Sequence, residues 1–197
     1  MTPAPTAFEP STPFAVLFVC TGNSARSAIA EELLRLRTGG RVEAFSAGSN
    51  PKPVMHTDTV RVLRQEYGID LAGRLPRRLD TLADHRFDAV ITLCDKAREV
   101  CPDFGDDPRW IHWSIPDPAA SHGSDDATYP RFQATAAEVC SSRRAPAALA
   151  VADRAVGQRL SRARAGGPRG RATESDLLPP ATTTRRWPRH RHPGLRC

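Results

Sequence analysis

Cys20 and Arg26 stand six residues apart, separated by Thr21-Gly22-Asn23-Ser24-Ala25 and followed by Ser27. Residues of these types at this spacing suit nucleophilic attack on a tetrahedral oxyanion. Five small or polar residues can curl so that successive backbone N–H groups converge on one point. Gly22 and Asn23 are types that tolerate the left-handed angles a tight loop needs. Arg26 offers a planar fork to an oxyanion. The same positive field favours a thiolate at Cys20, to which the Ser27 hydroxyl can donate. Cys20 alone also fits a buried cysteine that ends a strand before an ordinary turn. That reading accounts less well for the whole run, which has an apolar segment before it and an amphipathic one after. A nucleotide-binding P-loop is excluded, because no G-x4-G-K-[ST] pattern is present.

A second constellation lies in "ITLCDKAREVCPDF", where Cys94 and Cys101 are separated by six residues and Pro102 follows. The spacing is not that of a zinc ligand pair, and no neighbouring histidine pair completes a set. A third lies in "IHWSIPDPAA", where Asp117 before Pro118 suits a turn residue.

The surrounding pattern predicts elements that place these residues together. The apolar run 15–19 reads as a fully buried strand. Ile29, Leu33 and Leu36 recur at helical spacing up to Gly39-Gly40. "VEAFSAGS" reads as a second strand. "HTDTVRVLRQEYG" reads as a helix with Val60, Leu63 and Tyr67 on one face and Gly68 as its stop. "FDAVITLCD" and "RWIHWSI" read as further strands, and "DDATYPRFQATAAEV" as a late helix despite Pro130. Strands alternating with helices predict an α/β, doubly wound parallel sheet. Ligands bind such sheets beyond the carboxyl ends of their strands. Cys20, Cys94 and the segment leading to Asp117 all fall there.

The length of 197 residues fits one domain with a substantial core. The formal charge of +6 is unevenly spread. Residues 1–140 carry 15 Lys and Arg against 19 Asp and Glu, a net of −4. Residues 141–197 carry 13 Arg against Asp153, Glu174 and Asp176, a net of +10. The basic character therefore belongs to the tail and says nothing about what the folded part binds. A binding protein whose tail grips polyanions is the rival from another class. The tail offers few aromatics beyond Trp187, so nucleic acid is not the expected partner. The expected organisation is a disordered leader over 1–13, one domain over 14–139, and an Arg/Pro/Ala-rich tail over 140–197. Leu149, Ala152, Val156 and Leu160 could line one helix face of that tail, with the rest disordered. The last helical pattern stops in mid-stride, as a shifted reading frame in a GC-rich gene would produce. No run approaches the ~18 apolar residues of a membrane span, and the N-terminus lacks the features of a secretory signal. Five cysteines in such a chain point to reactive thiols or metal ligands in a cytoplasmic protein, not to a disulfide framework.

"VLFVCTGNSARS" resembles the signature of the low-molecular-weight phosphotyrosine phosphatase superfamily, which holds both phosphatases and thioredoxin-coupled arsenate reductases. "FSAGS" and "GID" at 68–70 match its spacing too, and the likeness covers roughly residues 14–139. The Cys94/Cys101-Pro102 pair resembles the reductases specifically; members of both kinds carry an Asp-Pro like Asp117-Pro118, and the reductases commonly read as His112-Trp113 and Asp117-Pro118-Ala119 do here. The resemblance implies a four-stranded sheet of order 2-1-3-4 flanked by helices. It implies Cys20 as nucleophile, residues 21–26 as the oxyanion cradle, Asp117 as general acid, and Cys94 and Cys101 as resolving thiols. Arsenate would be the substrate and phosphate a competing anion. No cofactor would be bound, and thioredoxin or a small thiol would supply the electrons. A phosphatase hydrolysing a Cys20-phosphate is the alternative within the same fold.

Strands one and three of that order are neighbours, roughly 4.8 Å apart, which brings Cys20 and Cys94 near disulfide reach. A helix between Cys94 and Cys101 would hold their Cα atoms about 10 Å apart, too far for a bridge without unwinding. Some of these reductases bind potassium, and Asn23, Glu31 and Ser46 occupy the corresponding places. "GRLPRRLD" offers no identifiable acidic fourth ligand. Ala25 stands where many members carry a second loop cysteine. Cys140 and Cys197 match nothing in the pattern.

Overall fold

The run Phe14–Cys20 is buried along its whole length and forms β1, an inner strand of a four-stranded sheet. A computed structural model describes residues 13–104, 108–120 and 125–141, with backbone alone at 125–127. The elements follow as α1 (Arg26–Thr38), β2 (Val42–Gly48), α2 (Thr57–Tyr67), a 3-10 turn (Leu79–Leu82), β3 (Ala89–Thr92), α3 (Asp95–Val100), β4 (Arg109–His112) and α4 (Asp125–Cys140). The sheet order is β2-β1-β3-β4 and every pairing is parallel. The leader up to residue 12 and the tail from residue 142, Cys197 included, lie outside the described residues.

Alternation along β1 divides the core in two. Phe14, Val16, Phe18 and Cys20 join a cluster with Ile29 and Leu33 of α1, Val62 and Leu63 of α2 and Phe132 of α4. Ala15, Leu17 and Val19 face the other side, against Leu79, Leu82, Phe87, Ala97 and Phe104. Val16, Leu17 and Val19 are fully buried, each contributing on the order of 1.5–3 kcal/mol. This is why β1 reads as an unbroken apolar run.

Three details differ from the sequence reading. In α1, Leu36 is 48% exposed, while Leu34, Glu31 and Glu32 are buried. The helix is covered on a second side by the segment after α2, so its buried stripe is wider than the heptad-like pattern suggests. In α2 the fully buried pair is Val62 and Leu63, with Val60 and Tyr67 only partly covered. The third is the 3-10 turn Leu79–Leu82, which the pattern did not reveal. Glycine stops work as expected at Gly39 and Gly68, both left-handed C-caps with φ of 59° and 68°. Among the described residues no helix is long and apolar enough to cross a membrane.

Candidate active site

β1 ends at Cys20 and α1 begins at Arg26, so residues 21–25 must turn the chain within one loop. The loop's carbonyls are tied outward to the segment after β2. Those of Cys20, Thr21, Gly22 and Ser24 accept from the N–H groups of Ser49, Asn50, Lys52 and His56, at 2.9–3.2 Å. In a trans peptide the following N–H points opposite to the carbonyl. The N–H groups of Thr21, Gly22, Asn23 and Ala25 therefore turn inward, as an anion cradle requires. Asn23 has φ of 47° and is the one non-glycine with positive φ among the described residues. Gly22 is not left-handed. It is small for another reason: a Cβ there would meet Lys52 Cγ at 3.2 Å. Gly48, which the sequence reading did not single out, is more constrained still, since its Cβ would lie 2.6 Å from the Thr21 carbonyl oxygen.

Cys20 is a free thiol, 2% exposed. Its Sγ lies 3.0 Å from Ser27 Oγ and accepts from the Asn23 N–H at 3.3 Å. Such donors stabilise negative charge on sulfur. Arg26 is buried, with Nη2 donating to Asp117 Oδ2 at 2.9 Å and Nη1 to the Ile115 carbonyl at 3.2 Å. Its buried Nε has no hydrogen-bond partner among the described residues, which leaves a fixed donor for an anion. Asp117 itself is half-exposed and accepts from the Ala119 N–H at 3.1 Å.

Cys94 caps α3 at its N-terminus, and its Sγ lies 3.4 Å from Thr21 Oγ1. The second cysteine therefore borders the loop that carries the first. Cys101 closes the other end of the same six-residue helix, half-buried against Leu17 and Phe104's cluster. Burial pushes its thiol up to about 11. Both are free thiols. His112 at the end of β4 ties this helix down, with Nε2 2.9 Å from Asp95 Oδ1 and Nδ1 2.8 Å from Thr92 Oγ1. That clamp was invisible in the sequence.

Asn23, Glu31 and Ser46 do come together, but around a guanidinium. Arg74 donates to Glu31 Oε2, to Glu32 Oε1 and to Ser46 Oγ, the last at 2.9 Å. Asn23 turns its amide nitrogen toward Ser46, at 2.7 Å, because its Oδ1 is taken by the Arg77 N–H at 2.6 Å. The carboxylate a cation would need is already paired, and the amide presents a donor where a ligand oxygen is required. The residues do not fit the expected potassium ion. Burial pushes the Glu32 carboxyl up, against the lowering pull of Arg74 and Arg35. Among the described residues no group of three or more His, Cys, Asp or Glu is placed to hold a metal.

A family model described as low molecular weight phosphotyrosine protein phosphatase matches residues 15–152. A protein named arsenate reductase from Halalkalibacterium halodurans is 32% identical over 124 residues, covering 63% of this chain and 88% of its own length. The structure of a thioredoxin-dependent arsenate reductase from Corynebacterium glutamicum is 27% identical at a TM-score of 0.50. That match covers 66% of this chain, which spans 59% of the other's length. A low molecular weight protein tyrosine phosphatase from T. tengcongensis, 23% identical with 64% and 95% of the two chains covered, shares the fold at a TM-score of 0.50.

Proposed function

The chain belongs to the low molecular weight phosphotyrosine protein phosphatase family, and we propose that it is an arsenate reductase working through a cysteine relay. The observation that carries this reading is the placement of a second thiol, Cys94, beside Thr21 of the anion loop, with a third, Cys101, one short helix away. A phosphatase needs Cys20, Arg26 and Asp117 and has no use for the other two.

Arsenate binds in the cradle of inward N–H groups, with Arg26 Nε and its fork opposite. The Cys20 thiolate attacks arsenic, and an oxygen leaves as water with a proton from Asp117. Cys94 then attacks Cys20 Sγ. The sulfur–arsenic bond breaks, its electron pair stays on arsenic, and arsenite departs from a Cys20–Cys94 disulfide. Cys101 attacks Cys94, frees the Cys20 thiolate and leaves a Cys94–Cys101 disulfide. An external dithiol of the thioredoxin kind, or a small thiol, returns two electrons to that disulfide. Phosphate competes for the cradle, no resident cofactor takes part, and the reaction serves arsenic detoxification in the cytoplasm.

The relay also says what α3 must do. With the helix intact, Cys94 and Cys101 have Cα atoms about 10 Å apart along its axis, beyond the ~7 Å limit for a disulfide. The helix must unwind for the third step, which presents the new disulfide on a loop.

The test is arsenite production with thioredoxin, thioredoxin reductase and NADPH, for wild type and for Cys20→Ser, Cys94→Ser and Cys101→Ser. The relay requires that all three variants lose multiple turnover. Arsenite-free wild type that hydrolyses p-nitrophenyl phosphate, unaffected by Cys94→Ser and Cys101→Ser, would instead establish the phosphatase.

A further inference from the structure

Arg74, from the segment after α2, has no part in the proposed chemistry, yet it is joined to Cys20 by an unbroken chain of hydrogen bonds. Its side chain is 19% exposed and lies over Glu31, which is 1% exposed, and Glu32. The direction of each bond in the chain follows from counting protons. Ser46 has one, and donates it to Glu31 Oε2 at 2.5 Å. Its oxygen is then free to accept from Arg74 Nη2 at 2.9 Å and from Asn23 Nδ2 at 2.7 Å. The second proton of that Asn23 amide goes to Ser27 Oγ at 2.9 Å. Ser27 thus has an acceptor site filled, and its own proton is left for Cys20 Sγ at 3.0 Å. The Asn23 amide cannot flip, because its oxygen is held by the Arg77 N–H.

The charges make the same point. Glu31 and Glu32 place two carboxylates beneath an anion-binding loop, where they oppose both a thiolate and an oxyanion. Arg35 reaches Glu31 at 2.5 Å and Glu32 at 3.1 Å from the solvent side. Arg74 supplies the second positive charge and the only one of the two that also touches Ser46.

We propose that Arg74 is a positioning residue, an internal cation that neutralises Glu31 and holds Ser46 and Asn23 so that Ser27 donates to Cys20. It makes the loop independent of any bound monovalent metal ion, in contrast to those reductases of the resembled kind that bind potassium. The inference rests on Cys20 being the nucleophile, but not on which oxyanion it attacks.

The test therefore reads Cys20 directly, through its alkylation by iodoacetamide, followed by mass spectrometry of the Cys20 peptide at one neutral pH. Protection by inorganic phosphate gives the affinity of the cradle in the same experiment. Wild type, Arg74→Gln and Arg74→Lys are compared in potassium and sodium salts of equal ionic strength. Wild type reacts equally in the two salts. Arg74→Gln loses about tenfold in alkylation rate and in phosphate affinity, the size of coupling typical within one hydrogen-bonded network. Arg74→Lys, which keeps the charge and loses the fork, recovers part of both. Thermal unfolding monitors the fold. Should Arg74→Gln fail to fold, Arg74→Gln/Glu32→Gln removes one charge of each sign and serves in its place. The proposal is overturned if potassium speeds wild type over sodium, if the folded glutamine variant matches wild type, or if Arg74→Lys is no better than Arg74→Gln. Loss of arsenite production alone bears on the arsenate reading and leaves this result unchanged.

Discussion

The two cysteine sites of this chain are held in opposite ways. Cys20 sits in a loop fixed on both sides: its carbonyls are bonded outward to residues 49–56, and its side chains are locked by Asn23, Ser27 and Ser46. Cys94 and Cys101 flank a helix of six residues, of which only Ala97 is buried. One His112–Asp95 contact ties that helix to β4. The contrast teaches what each step of the proposed relay demands. Binding and attack on an oxyanion need donors that do not reorganise. A disulfide between residues at opposite ends of a helix needs a segment that unfolds at little cost.

The comparison is broken most severely at Cys20. Cys20→Ser should lower arsenite formation by about a thousandfold or more, the size of effect seen when a nucleophile is removed, while phosphate still binds by calorimetry. A variant that retains turnover would remove the rigid loop from the chemistry altogether. Next in size is Gly48→Ala, whose Cβ would press on the Thr21 carbonyl. We expect about 1–3 kcal/mol of destabilisation by denaturant titration and weaker phosphate binding, because the carbonyl cannot move without turning its peptide N–H. Unchanged phosphate affinity would mean that the loop is less rigid than its bonding indicates.

On the side of Cys94 and Cys101, His112→Ala should release Asp95 and speed the step from Cys20–Cys94 to Cys94–Cys101. An exposed pair of this kind contributes about 0.2–1 kcal/mol, so stopped-flow measurement of the second disulfide should show an acceleration of only a few-fold. A slower step would show that His112 orders Cys94 and does not restrain it. A last effect is confined to alkaline pH. The Cys101 thiol is raised to about 11 in the folded chain against 9.0 unfolded. Its contribution is thus fully present below about pH 9 and is lost as pH rises through about 11. Urea midpoints measured across that window should fall less steeply for Cys101→Ser than for wild type.

Much of this arrangement was legible in the chain order alone. Cys20, Arg26 and Ser27 are close in sequence, so their loop could be read from residue types, and the apolar runs of β1 and β3 announced a parallel sheet covered on both faces. Leu36 was misjudged because periodicity counts one apolar stripe, whereas α1 is covered on two sides and buries Glu31 and Glu32 in the process. The residue types at 22 and 23 suggest left-handed angles at both, but only Asn23 adopts one, and a Cβ at Gly22 would sit 3.2 Å from Lys52 Cγ.

What the sequence by itself determined was which reactive groups the chain carries and at what spacing: a thiol before a loop of small residues, an arginine and a serine after it, and two further thiols with an acid. For the first thiol, the arginine and the serine local spacing suffices, because that loop closes on itself within eight residues. Only the tertiary structure decided what stands around it. Arg74 reaches Glu31 across 43 positions, Arg77 reaches Asn23 across 54, and His112 reaches Asp95 across 17. Those contacts depend on how parallel strands and their crossovers bring distant segments to one end of the sheet. No periodicity or motif encodes that, and so residues whose counterparts bind potassium in some relatives surround an arginine here.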